Sequence, residues 1–144
     1  VDGWDTHANE GPIKGLLANR LAALDAAIKA FADGMGPAWR ETAALLVTEF
    51  GRTAAANGTD GTDHGTATTA ILIGGAVRGG RVIADWPGLK PMDLHEGRDL
   101  APTRDLRSVL KGLLRDHLGI PDDPLARHVF PDSSAVAALD GLIG

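Results

Sequence analysis

The sequence predicts an α/β layered domain, and three features carry the prediction: an amphipathic segment over 13–35, an apolar run at 43–48, and paired apolar runs at 70–73 and 81–84 around a glycine turn. In the first segment Ile13, Leu16, Leu17, Leu21, Leu24, Ile28, Phe31 and Met35 recur at three- and four-residue steps, which gathers them on one helical face. Pro12 suits the first turn of this helix. Gly34 and Gly36 followed by Pro37 end it, because glycine accepts a left-handed cap and proline cannot continue the ladder. The run Ala43-Ala44-Leu45-Leu46-Val47-Thr48 shows no polar alternation, the pattern of a strand covered on both faces. The helix is therefore expected to pack on a mostly parallel sheet that contains this strand.

The stretch 49–69 is rich in Gly, Thr, Asn and Asp and reads as one long loop. Ordered loops of that length usually carry function. Ala70-Ile71-Leu72-Ile73 then leads through Gly74, Gly75, Gly79 and Gly80 into Arg81-Val82-Ile83-Ala84, which predicts two short strands. Leu106, Val109, Leu110, Leu113, Leu114 and Leu118 mark a second helix, with Thr103 as N-cap and Gly119 and Pro121 as its close. A last short helix is expected over 134–142.

The 144 residues suit one ordinary domain, and 44% hydrophobic with 23% charged residues is the balance of a chain that folds. A net charge of -5, with Lys and Arg scattered singly, supplies no basic stripe and argues against nucleic acid as a partner. No apolar run approaches the roughly 20 residues of a membrane span. With no cysteine, metal binding falls to His and carboxylates. The chain opens at Val1 and reaches Gly3-Trp4-Asp5-Thr6-His7 at once, so it reads as a fragment or a processed form.

Three segments hold the side chains that a hydrolytic metal site needs: Asp5-Thr6-His7, Thr48-Glu49-Phe50-Gly51-Arg52-Thr53 and Thr62-Asp63-His64-Gly65. Imidazole nitrogen and carboxylate oxygen are the natural ligands of zinc and similar ions, which makes Asp5, His7, Glu49, Asp63 and His64 the candidate set. Each also has a plain structural reading. An Asp-x-His pair and the Asp63-His64-Gly65 segment are equally at home in turns, Glu49 can cap a helix, and Arg52 can pair with it on the surface. His117 near a helix end complements the dipole, and His95 and His128 lie in irregular stretches with no ligand pattern. These three are read as structural.

The segments Gly3 to His7, Val47 to Thr53, Gly61-Thr62-Asp63-His64-Gly65-Thr66-Ala67, Gly74 to Gly80 and Asp85-Trp86-Pro87-Gly88-Leu89, in that order, resemble the C-terminal region of the bacterial domain-of-unknown-function 1501 family. That family is similar to the alkaline phosphatase and sulfatase superfamily. The resemblance implies a three-layer α/β/α sandwich of which residues 1–144 form the C-terminal part, as part of a single domain. It implies a divalent metal, zinc first, held by Asp5, His7 and His64, with Asp63 as ligand or as the group that orients His64. Glu49 stands where the superfamily has an Asp-His pair, and Phe50 cannot bind metal. Arg52 is the residue expected to hold an oxygen of a tetrahedral anion. The parent is then a metal-dependent hydrolase of small phosphate or sulfate esters, periplasmic or exported. Its nucleophile is expected in an N-terminal remainder or a second chain, so residues 1–144 alone are expected to be inactive. The rival reading is an exported binding or interaction protein that keeps the fold without the catalysis.

Overall fold

The apolar stripe at 13–35 becomes helix α1, Leu16–Met35, begun at Gly15 and closed at Gly36, whose φ of 51° is one that glycine adopts without strain. The computed structural model describes residues 3–11 and 13–144, so the role assigned to Pro12 lies outside them. No residue of α1 is buried, and Leu16, Leu21 and Phe31 of the apolar stripe are exposed. Among the described residues no helix is long and apolar enough to cross a membrane.

The chain divides into two compact units. One comprises Val1–Gly36, Val47–Ala70 and Trp86–Pro102; the other comprises Pro37–Leu46, Ile71–Asp85 and Thr103–Gly144. In the first unit lie α1 and a ribbon of two short antiparallel strands, β2 (Gly51–Arg52) and β3 (His64–Gly65), inside the stretch expected to be loop throughout. Gly51 is required there, because a Cβ at this position would lie 1.8 Å from the Ala67 carbonyl oxygen. The buried side chains of this unit include polar ones, Thr6 and Asp99. Asp99 is satisfied by the Thr66 hydroxyl at 2.9 Å and by Arg98 Nε at 2.8 Å.

The second unit contains the buried apolar residues Ala76, Leu125 and Leu142. Here β1 (Ala44–Leu46) pairs with β4 (Ile71–Ile73), Leu45 opposite Leu72. The pairing is antiparallel, which corrects the expected parallel sheet among the described strands: an apolar run reports burial, not the direction of its neighbour. The expected strand at 81–84 does not form. Val82 is 91% exposed, and Val77 instead bridges to Ile143.

Helix α2, Leu106–Leu118, forms where the periodicity placed it. Its N-cap is Asp105 rather than Thr103, with the carboxylate accepting from the Arg107 N–H at 2.8 Å, and Gly119 closes it in the left-handed conformation. His117 sits in the last turn with Arg115, as its structural reading requires. The helix expected over 134–142 is absent, for a physical reason: its polar backbone is claimed from afar. Lys111, only 3% exposed, donates to the carbonyls of Ser133 at 2.6 Å and Val136 at 2.8 Å, and Leu139 N–H donates to Ser108 O.

The Arg107 side chain first, and then the Arg107 backbone N–H, hold the Asp105 carboxyl below its ordinary 3.8. A depressed acid stabilises the fold above its unfolded pKa and loses that contribution as pH falls through the folded one. Replacing Asp105 by alanine should therefore cost about 1 kcal/mol at neutral pH. In thermal unfolding, the gap between variant and wild type should close in acid below 3.8.

Candidate metal centre

The site is assembled from three stretches of the first unit. Asp5 and His7 lie in an irregular segment near the start of the described chain, Arg52 lies on β2, and His64 faces Arg52 across the ribbon on β3. The turn at 57–61 supports them. The Asn57 side-chain oxygen accepts from the N–H of Thr59 at 3.0 Å and of Gly61 at 3.1 Å, while its amide donates to His7 O at 3.1 Å. The Thr59 hydroxyl donates to the same His7 carbonyl at 2.7 Å. This short-range Asn turn thus seats the remote histidine segment on it. Gly61 is buried against that segment, where a Cβ would lie 2.3 Å from the His7 carbonyl carbon.

One carboxylate oxygen is the focus. Asp5 Oδ1 lies 3.0 Å from His7 Nε2 and 2.9 Å from His64 Nε2, and it also accepts from Arg52 Nη1. The imidazole centroids are 5.0 Å apart. Ligand atoms of Asp5, His7 and His64 all fall within 4.8 Å of one another, the one such group of metal-binding side chains among the described residues. An ion with ligands about 2.0–2.2 Å away spaces tetrahedral ligand atoms about 3.5 Å apart, so a two-nitrogen, one-oxygen set of this spread fits a zinc-like ion. The three side chains are about half exposed, which leaves the remaining coordination directions open to solvent.

Each partner has a defined support. His7 Nδ1 meets Asp63 Oδ1 at 3.3 Å, and Asn57 donates to the same oxygen at 3.0 Å. His7 is thus held between two carboxylates, Asp63 at Nδ1 and Asp5 at Nε2, and an outer carboxylate at Nδ1 is the usual support of an imidazole that binds metal through Nε2. Asp63 therefore orients His7, not His64. Arg52 works as a brace: Nη1 donates to Asp5, Nη2 to the carbonyls of Thr6 and, at 2.6 Å, Thr62, and Nε to the Thr62 hydroxyl at 3.0 Å. The Thr62 hydroxyl passes its own proton to Glu10 at 3.0 Å. Thr6 is held through its main chain, since its buried hydroxyl has no partner among the described residues.

The Arg52 guanidinium is the main cause of the lowered Asp5 pKa, joined by His64 and His7 and opposed by desolvation. Asp63 is also lowered, first by the Asn57 amide and then by His7. Both carboxylates are thus held toward the ionised form. Of the other residues proposed from sequence, Glu49 is exposed in the bend before β2 and stands outside the group. His95, His117 and His128 also stand outside it. Sequence reasoning missed Asn57, Thr59, Thr62 and Glu10. The Asn57-Gly58-Thr59-Asp60-Gly61 turn signature was the signal available for the first two.

A family model described as protein of unknown function (DUF1501) matches residues 1–129. No curated protein and no solved structure matches the chain.

Proposed function

Since the chain belongs to the DUF1501 family, a membership that fixes no activity, we propose from the chemistry of its site that it forms part of a metal-dependent hydrolase of phosphate or sulfate esters. The observation that carries this reading is the convergence of His7 Nε2 and His64 Nε2 on Asp5 Oδ1, at 3.0 and 2.9 Å. Asp5, His7 and His64 would hold one divalent ion, zinc first. When bound, such an ion polarises an ester oxygen and lowers the pKa of an attacking group.

The residues of the chain do the rest. Asp63 and Asn57 keep His7 in one place. Arg52 keeps Asp5 anionic and ties its segment to Thr62. Because Nε, Nη1 and Nη2 of Arg52 are all engaged, the geometry favours bracing over direct contact with a tetrahedral oxygen. No Ser or Thr of this chain is assigned as nucleophile. An alkaline-phosphatase-like sandwich, a C-terminal place within it and an exported location belong to the same proposal.

A second reading, an exported binding or interaction protein that keeps the fold without catalysis, is favoured by Phe50, an apolar ring stacked on His64 at a place where a further ligand would extend the site. Protein purified without chelator should hold about one divalent ion per chain by elemental analysis, as a single three-ligand group implies. With its parent's remaining sequence present, it should hydrolyse an aryl phosphate or sulfate. Finding neither stoichiometric metal nor turnover would sink the hydrolase and support the second reading.

A further inference from the structure

We infer that Phe50 is a positioning residue that fixes the imidazole plane of His64. The inference rests on the metal reading above and adds to it a residue that no ligand chemistry points to. Phe50 lies in the bend that leads directly into β2, and Gly51 after it is packed against the Ala67 carbonyl, where a Cβ would not fit. His64 is the cross-strand partner of Arg52, two residues beyond Phe50. The rings are stacked, with centroids 4.1 Å apart and an interplanar angle of 29°.

The stack matters because the ring's other contacts are one hydrogen bond at Nε2 and a tilted, more distant approach of the His7 ring. The His64 side chain is 52% exposed, and its contact with Asp5 holds Nε2 alone. The last torsion of a histidine has broad wells, so a single hydrogen bond leaves the ring free to roll about it. A flat apolar ring against one face removes that freedom and keeps Nε2 in the direction shared with His7 and Asp5. One short segment thus acts on two members of the group, Arg52 on Asp5 by charge and Phe50 on His64 by shape.

The test titrates the metal-free protein with Co²⁺, reading the visible d–d bands, and records the His64 ring protons by NMR before metal is added. Phe50→Leu removes the flat ring and keeps an apolar side chain; Phe50→Tyr keeps the ring. We expect Phe50→Leu to weaken Co²⁺ binding by roughly 10- to 100-fold, the range for groups that support a ligand from outside. Its His64 ring protons should lose the upfield shift that a stacked ring imposes, and Phe50→Tyr should restore both properties. Wild-type Co²⁺ affinity in Phe50→Leu, or equal loss in Leu and Tyr variants, overturns the inference. Should the leucine variant not fold, the wild-type spectrum still decides, since absent Phe50–His64 ring contacts would overturn it too. A wild type that binds no Co²⁺ is a different result, and it brings down the metal reading itself.

Discussion

Replacing Asp5 with alanine should abolish divalent-metal binding and leave the helices intact. Two imidazole nitrogens and one guanidinium converge on a single Asp5 oxygen, so its loss removes the anionic ligand and the common point toward which His7 and His64 are directed. It also leaves the Arg52 cation facing the two imidazoles with no carboxylate between them, where it repels any incoming ion. Groups that merely support a ligand cost 10- to 100-fold in affinity when removed, so the loss of a direct ligand beside an unmasked arginine should exceed about 100-fold. Calorimetric titration with Zn²⁺ reads this directly, with far-ultraviolet circular dichroism as the check on folding. His117→Ala, in the last turn of α2, should titrate as wild type does. Undiminished Zn²⁺ affinity in the Asp5 variant would show that Asp5, His7 and His64 are an ordinary hydrogen-bonded cluster.

Substituting Gly61 with alanine should damage stability and metal binding together, although Gly61 touches no metal. Its added methyl would lie 2.3 Å from the His7 carbonyl carbon and 2.5 Å from Ala8 N, contacts with main chain that no side-chain rotation relieves. Either the 57–61 turn or the His7 segment must move. Overpacking of this kind costs about 1–3 kcal/mol. The movement also breaks the bonds from Asn57 and Thr59 to the His7 carbonyl, so the ligand loses its seat. Gly58, three positions earlier in the same turn, has open space where a Cβ would be built, and Gly58→Ala should be nearly silent. Thermal unfolding and Zn²⁺ titration of the pair provide the measurement; matching behaviour of the two variants would mean that the turn does not position His7.

What the sequence disclosed follows from the range of the forces involved. Helices α1 and α2 were legible because a three-to-four-residue apolar period is a local property of the chain. The direction of the β1–β4 pairing was not, since nothing in Ala44-Leu45-Leu46 encodes which way a partner runs. The 134–142 segment misled for a related reason: a helix-compatible composition was overridden by Lys111 and Ser108, which take its backbone groups across more than a score of residues. At the site, Asp5, His7 and His64 stood out by their chemistry and by the order of motifs around them. Glu49 had the same chemistry and lies outside the group, because ligand type does not report which way a bend turns a side chain. The services of Asn57, Thr62 and Phe50 exist only after the loops close, and no local pattern foretells them.

The separation of these loops along the chain has a thermodynamic consequence. Asp5 and His64 are 59 residues apart, and His7 and Asp63 are 56 apart. The buried apolar residues named above, Ala76, Leu125 and Leu142, all belong to the other unit. The unit that bears the site must meet the chain-entropy cost of closing such long loops, largely with hydrogen bonds that water also offers. An ion that binds only the closed form adds to this by mass action, about 2.7 kcal/mol when its free concentration is 100 times Kd. That is a substantial share of the 5–15 kcal/mol by which whole domains are stable. On the metal reading, the ion acts on this half of the chain as a removable cross-link, and the folded population rises and falls with the free metal around it.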